Sequence, residues 1–262
     1  MKKFLILLIL AFGCTKKDDA MTLKVAATPV PQAQMLHFVK SELEKEGIKL
    51  KVIEVDDYNI PNRALAEKEV AANFFQHIPF MDEQIKNFGY KIQCYARIEL
   101  EPMAIYSDKI ASLKDLKKGA TIAIPNDPTN EFRALSILQK QGLIEMRPHA
   151  KLTATVADIQ SNPLDLKFRE IDAALLTRAL PDVDAAAIPT NFALQLGLNP
   201  SKDSLAMESV DSPYANIIAI RIGDADDPRL EVLKKVMLSD NMRTFIEDTY
   251  KGAIIPVLKD CP

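Results

Sequence analysis

Short apolar runs alternate with longer amphipathic stretches along most of this chain, and the order of the two kinds predicts its elements. Leu23–Ala27 reads as a strand, Gln34–Glu46 as a helix stopped by Gly47, and Lys49–Val55 as a second strand. Arg63–Lys68 predicts a short helix, Val70–Phe74 a strand, and Phe80–Phe88 a helix ending at Gly89. Lys91–Tyr106 is a long extended segment broken at Pro102. Such βαβαβ units predict a mainly parallel sheet.

A second series begins with Leu113–Lys117 as a helix, Thr121–Ile124 as a strand and Asn130–Gln141 as a helix closed by Gly142, and continues to a strand over Asp184–Ile188. Asn216–Arg221 then reads as a strand, with Asp227–Ser239 and Met242–Tyr250 as helices. Two extended segments, around residues 96–106 and 214–222, flank the middle block, and paired crossings of this kind are what a hinge between two lobes needs. The expectation is a two-lobed α/β chain. Its first lobe is discontinuous, residues 22–100 and 220–262, its second spans 101–219, and ligand lies between them.

The N-terminus changes the picture of where the protein resides. Lys2 and Lys3 precede an apolar run from Phe4 to Phe12, too short for the roughly 18 to 20 residues of a membrane span, so residues 1–13 read as a signal peptide. Ala11-Phe12-Gly13-Cys14 resembles a bacterial lipobox, which makes Cys14 the expected lipidation site and residues 14–21 a lipidated N-terminus and tether. The expected location is the cell envelope, on a membrane through the lipid anchor, facing the periplasm or the exterior. Removing residues 1–13 takes two of 33 basic side chains and leaves 31 against 36 acidic, a net charge of −5. With no basic stripe and no tryptophan, no nucleic-acid partner is expected. Cys94 and Cys261 stand far apart without neighbouring cysteines, a weak signal for pairing even in an oxidising compartment. His37, His77 and His149 are scattered, so no metal site is expected.

Chemistry is sparse. No nucleophile elbow, phosphate loop or dinucleotide fingerprint is present, so no catalytic residue and no cofactor are expected and the chain reads as a binding protein. Thr121–Gln141 carries the best binding signal: a β-branched strand enters a turn at Pro125-Asn126, Asp127 is placed to cap a helix with Pro128 at its first position, and Arg133 follows. A helix N-terminus with a nearby guanidinium suits an anion, and a capped helix with a surface arginine is the plainer alternative. Phe75, His77 and Phe80 suggest a pocket for an apolar side chain with a soft atom, or simply core. Asn191 and Asn216 are amides able to hold an α-amino group, or turn formers.

Longer stretches carry a resemblance: Ala27-Thr28-Pro29-Val30-Pro31, Asp57-Tyr58 before Pro61-Asn62, Ala72–His77, Glu101–Ser107, Ile124–Leu135, and Asp182–Ile188 running on to Asn191-Phe192-Ala193. Over residues 14–256 the chain resembles the NlpA/MetQ-type methionine-binding lipoproteins of bacterial methionine ABC transporters. The resemblance implies a type II periplasmic-binding fold that closes on L-methionine, with D-methionine or a related amino acid as variants, and delivers it to a permease and ATPase complex. It implies that Arg133 pairs with the ligand carboxylate, that Asn191 and Asn216 receive the α-amino group, and that Tyr58, Phe75, His77 and Phe80 line the thioether pocket. Phe80 stands where the family usually has tyrosine, Phe132 where it has glycine, and Gln32-Ala33-Gln34 where it has His-Ala-Glu, which bears on fine specificity. The alternative is a surface lipoprotein that binds a methionine dipeptide, another amino acid or a metal ion, or that acts in host contact or adhesion.

Overall fold

Two β-sheets organise the chain, each covered by helices on both faces. The structure is a computed structural model and describes residues 21–262. The signal peptide read over 1–13, Cys14 and the tether as far as residue 20 lie outside the described residues. The first part of the chain forms β1 (Thr22–Ala27), α1 (Gln34–Lys45), β2 (Lys49–Glu54), α2 (Ile60–Ala66), β3 (Ala72–His77), α3 (Ile78–Phe88) and β4 (Ile92–Leu100). The middle forms β5 (Ala104–Tyr106), β6 (Thr121–Pro125), α4 (Pro128–Lys140), β7 (Glu145–Met146), β8 (Ile159–Ser161), β9 (Lys167–Ile171), α5 (Leu176–Ala179), β10 (Ala185–Ile188), α6 (Thr190–Gln195), α7 (Pro200–Asp203) and β11 (Ala206–Met207). The chain then returns through β12 (Ala215–Arg221), α8 (Pro228–Met237), α9 (Asp240–Tyr250) and β13 (Ile255–Asp260).

The first sheet has the order β13-β4-β12-β3-β1-β2 and the second β11-β5-β10-β6-β9, while β7 and β8 pair separately. β1 runs parallel to β2 and β3, but β12 is antiparallel to both β3 and β4, and β13 is antiparallel to β4. In the second sheet β6 is parallel to β9 and β10, and β5 is antiparallel to β10 and β11. Both sheets are therefore mixed, not mainly parallel. The helical crossovers account for the parallel pairs. β4 and β12 carry the chain out of the first sheet and back into it, so they run in opposite directions. β12 belongs to the first sheet along its whole length from Ala215.

Period-two alternation sends side chains to opposite faces and builds two cores per sheet. In the first sheet Leu23, Val25, Ile218 and Ile220 pack with Leu36, Leu233 and Ile246, whereas Ala26, Ile217 and Ala219 face Leu65 and Met81. In the second, Ile105, Ile122 and Ile124 face Leu135 and Leu138 of α4, whereas Ala104, Ala123 and Ile188 face Leu176 and Phe192. Gly47 ends α1 in the left-handed region (φ 75°), which lets the Ile48 N–H donate to the Leu43 carbonyl at 2.9 Å.

Several elements depart from the sequence reading. The segment expected as a helix over Leu113–Lys117 is a single tight turn, Leu113–Asp115. β9 and β13 are additional edge strands: Lys167–Ile171 is too polar to signal a strand, and Ile255–Asp260 contains Pro256, which an edge tolerates because one side of its backbone needs no partner. Cys94 and Cys261, despite their separation, form a disulfide with Cα atoms 5.9 Å apart, because β13 folds back along β4. Among the described residues no helix is long and apolar enough to cross a membrane, and no cluster of side chains suits a metal ion.

Candidate functional site

The C-terminal end of β3, buried along its whole length, delivers Phe75, Gln76 and His77 to the space between the sheets. Register does the rest on that side: Asn216 of β12 lies opposite His77 on one neighbour and opposite Glu99 on the other. From the second sheet, β6 leads through Asp127 into α4, which brings Asn130 and Arg133, and β10 leads through Pro189 into α6, which brings Thr190 and Asn191. Tyr58 from the loop after β2, Phe80 from the first turn of α3, and Glu101 from the crossing between β4 and β5 complete the lining. The space they line, its open mouth included, is about 330 Å³. Tyr58, Phe75, His77, Phe80, Arg133, Asn191 and Asn216 all line it. Phe132 does not; it faces a separate cleft beside Ile137, Leu152 and Pro213.

One end of the pocket is aromatic. The Tyr58 ring lies 5.9 Å from those of Phe75 and Phe80 and 5.3 Å from Phe192, and Phe75 meets Phe80 edge-on at 5.8 Å. His77 caps α3, its Nδ1 accepting the Phe80 N–H at 3.1 Å, so the ring proton resides on Nε2 and is donated to Asn130 Oδ1 at 3.1 Å. Burial, reinforced by the Arg133 charge, pulls the His77 pKa down to about 3, so the ring is neutral at physiological pH. Both nitrogens are occupied, leaving the ring to act on a ligand by shape and polarisability.

At the other end Arg133 is held on all sides. Its Nε and Nη2 grip Glu208 at 3.2 and 2.7 Å, Nη2 also donates to the Glu101 carbonyl at 2.8 Å, and Nη1 donates to Asn130 Oδ1 at 3.1 Å. The guanidinium stacks 4.7 Å from the centre of the Tyr214 ring. Burial works against its charge, but the Glu208 carboxylate more than offsets this and Arg133 holds its proton more firmly than usual. The two-pronged fork that sequence offered to an external carboxylate is thus engaged by Glu208, and only the second Nη1 hydrogen remains. The N-terminus of α4 is likewise closed, because Asp127 accepts the Asn130 N–H at 3.0 Å. The cap expected at Asp127 is present, and α4 carries Arg133 into the pocket behind it.

The amides have opposite polarities. Asn191 Oδ1 accepts the Tyr58 hydroxyl at 2.7 Å, which leaves its Nδ2, buried and unpartnered among the described residues, as the free group. That is a donor, suited to a carboxylate and not to an ammonium group. Asn216 donates Nδ2 to Glu101 Oε1 at 2.6 Å. Glu101 is the largest feature that sequence reasoning missed, together with Asn130 and Glu208. Gln32, standing where the family pattern has histidine, donates to both Glu99 and Glu101. Burial pushes the Glu101 carboxyl up to about 6, and burial with the neighbouring Glu101 raises Glu99 well above the carboxylate range.

A family model described as NlpA lipoprotein matches residues 23–258. The chain belongs to the NlpA lipoprotein family. It is 41% identical over 238 residues to the methionine-binding lipoprotein MetQ of Bacillus subtilis (strain 168), covering 89% of this chain and 87% of that one. Among solved structures, a nutrient binding protein from Burkholderia cenocepacia bound to methionine superposes with a TM-score of 0.87 at 46% identity, over 90% of this chain and 99% of that one. A periplasmic substrate-binding protein of an ABC transporter from Coxiella burnetii gives 0.85 at 43% identity, over 90% of this chain and all (100%) of that one. The family fold is the two-lobed periplasmic-binding type, with the two crossings as hinge. Glu101-Pro102-Met103 and the segment after β11 are bonded to each other there, the Glu208 N–H donating to the Met103 carbonyl at 2.8 Å.

Proposed function

We propose that this chain is a lipid-anchored substrate-binding protein that captures methionine between its lobes and delivers it to an ABC permease and ATPase complex. The observation that carries this reading is the division of one buried pocket into an aromatic end without a free polar group on His77 and a polar end built for a zwitterion. The ligand carboxylate is assigned to Arg133 Nη1 and Asn191 Nδ2. Its ammonium group is assigned to the Glu101 carboxylate, with Asn216 beside it. A zwitterion leaving water needs both charges compensated, because an unpaired buried charge is far too costly. Tyr58, Phe75, His77 and Phe80 then receive the thioether, a soft group that gains from aromatic contact.

The moving bodies in this reading are the two lobes, with β12 moving as part of the first because it is built into the first sheet from Ala215 onward. Cys14 carries the acyl chains that hold the protein on the envelope membrane, and no chemical step is performed on the ligand. The methionine named for the relatives from Bacillus subtilis and Burkholderia cenocepacia supports the same choice. Thermal shift against an amino-acid panel tests it. A ligand at a hundred times its Kd adds about 2.7 kcal/mol of stability, so methionine should raise the melting temperature where glutamine and lysine do not. A shift with a polar amino acid and none with methionine would reject the assignment.

A further inference from the structure

Behind the pocket, and out of reach of any ligand in it, Glu99 is completely buried beside Glu101, and a single amide nitrogen, Gln32 Nε2, bonds to both carboxyl groups and so holds them side by side. Among the described residues the donors they receive are amides: Gln32 Nε2 serves both, and Asn216 Nδ2, bonded to Glu101, also lies against Glu99. Glu99 Oε2 receives nothing, although it is buried. An ionised oxygen in that position would lack any compensation, whereas a proton on Glu99 turns the contact between the carboxyls into a donated, charge-assisted bond.

We propose that Glu99 is a positioning residue that keeps a proton and shares it with Glu101, holding Glu101 ionised for the ligand's ammonium group and making capture proton-linked. This rests on the assignment of Glu101 to that ammonium group. The other titratable or charged groups facing the pair are Arg133 from α4, already held by Glu208, Tyr58 from the loop after β2, and Tyr250 from α9. Both tyrosines stay protonated, so none of the three changes charge in the range where Glu101 does. Gln32 and Thr28, bonded to each other, are neutral. His77 is excluded as the source of a transition near neutrality because it is already uncharged there.

The direction follows from linkage. Below about pH 6 the free protein carries a proton on each carboxyl, and binding expels one of them to solvent, so affinity falls as pH falls. Above that range Glu101 is already ionised and affinity levels off. In a Glu99→Gln variant the amide is a weaker donor, Glu101 protonates more readily, and the rising limb moves to higher pH.

Isothermal titration of the detergent-purified full chain with L-methionine from pH 5 to pH 8, in two buffers of different ionisation enthalpy, reads this. The expected result is affinity that rises about tenfold per pH unit at the acid end, with release of a proton. Glu99→Gln should bind more weakly at pH 6 and recover at pH 8, a recovery that a merely structural defect would not show. Methionine bound with a flat profile in the wild type, or an identical midpoint in the variant, would overturn the proposal. If methionine fails to bind at every pH, the ligand assignment has failed instead. A ligand-free infrared spectrum at pH 7 then still decides the shared proton: a buried carboxylic-acid stretch present in the wild type and lost in Glu99→Gln supports it, and its absence from the wild type overturns it.

Discussion

Arg133 Nη1 and Asn191 Nδ2 are the donors left over when every other bond around them is counted, and this makes their substitutions informative. Arg133→Ala removes the ligand's partner and also leaves the partly buried Glu208 carboxylate with the Met103 N–H in place of a guanidinium, so methionine affinity should drop by about 3 to 5 kcal/mol, measurable by titration calorimetry. Asn191→Asp replaces the donor with an acceptor facing the ligand carboxylate and should be nearly as damaging. His77 gives a different test. Its pKa is lowered to about 3 from a reference of 6.5, so the unfolded state binds a proton more readily than the native one. Wild-type stability should therefore fall as pH drops from about 6.5 toward 3, and His77→Asn, which keeps a side chain able to cap α3, should fall less steeply in acid melts. Arg133 was legible because strand, turn, cap and arginine follow one another in sequence. Its partner Glu208 was not, since their meeting depends on how two distant crossings lie against each other, and the same holds for Glu101 with Gln32 and Asn216.

Elements with strong caps came through well. α4 begins at Pro128 under the Asp127 cap, and α8 begins at Pro228 with Asp227 accepting the Arg229 N–H. Edge strands did not, because an edge needs neither a continuous apolar run nor a free N–H at every position. β13 shows the consequence. It is fastened to β4 by the Cys94–Cys261 bond across a separation of 167 residues. Closing so long a loop removes much entropy from the unfolded chain, on the order of 5 kcal/mol in the chain-entropy account. Cys94→Ser should lower the urea midpoint strongly, and a reducing agent should destabilise the wild type but not the variant. A midpoint unmoved by either treatment would mean that β13 holds by its hydrogen bonds alone.

For the whole molecule, the sequence announced two lobes and paired crossings but not how the lobes meet. Among the described residues, the hydrogen bonds that join the two sides of the cleft include Tyr58 to Asn191 at 2.7 Å, His77 to Asn130 at 3.1 Å, and Gln195 to Asp56 at 3.1 Å. The third is exposed and outside the pocket lining. Gln195→Ala should leave the association rate unchanged and speed ligand release about fivefold, the worth of one hydrogen bond near 1 kcal/mol, as read by stopped-flow fluorescence. An unchanged release rate would show that this exposed bond contributes nothing to closure. The central claim is that this pocket holds methionine as a zwitterion through Arg133. Titration of L-methionine into the wild type and Arg133→Ala at pH 7 tests it most directly. Saturable one-to-one binding that is lost in the variant is the predicted result; no binding to the wild type, or equal affinity in both, would contradict it.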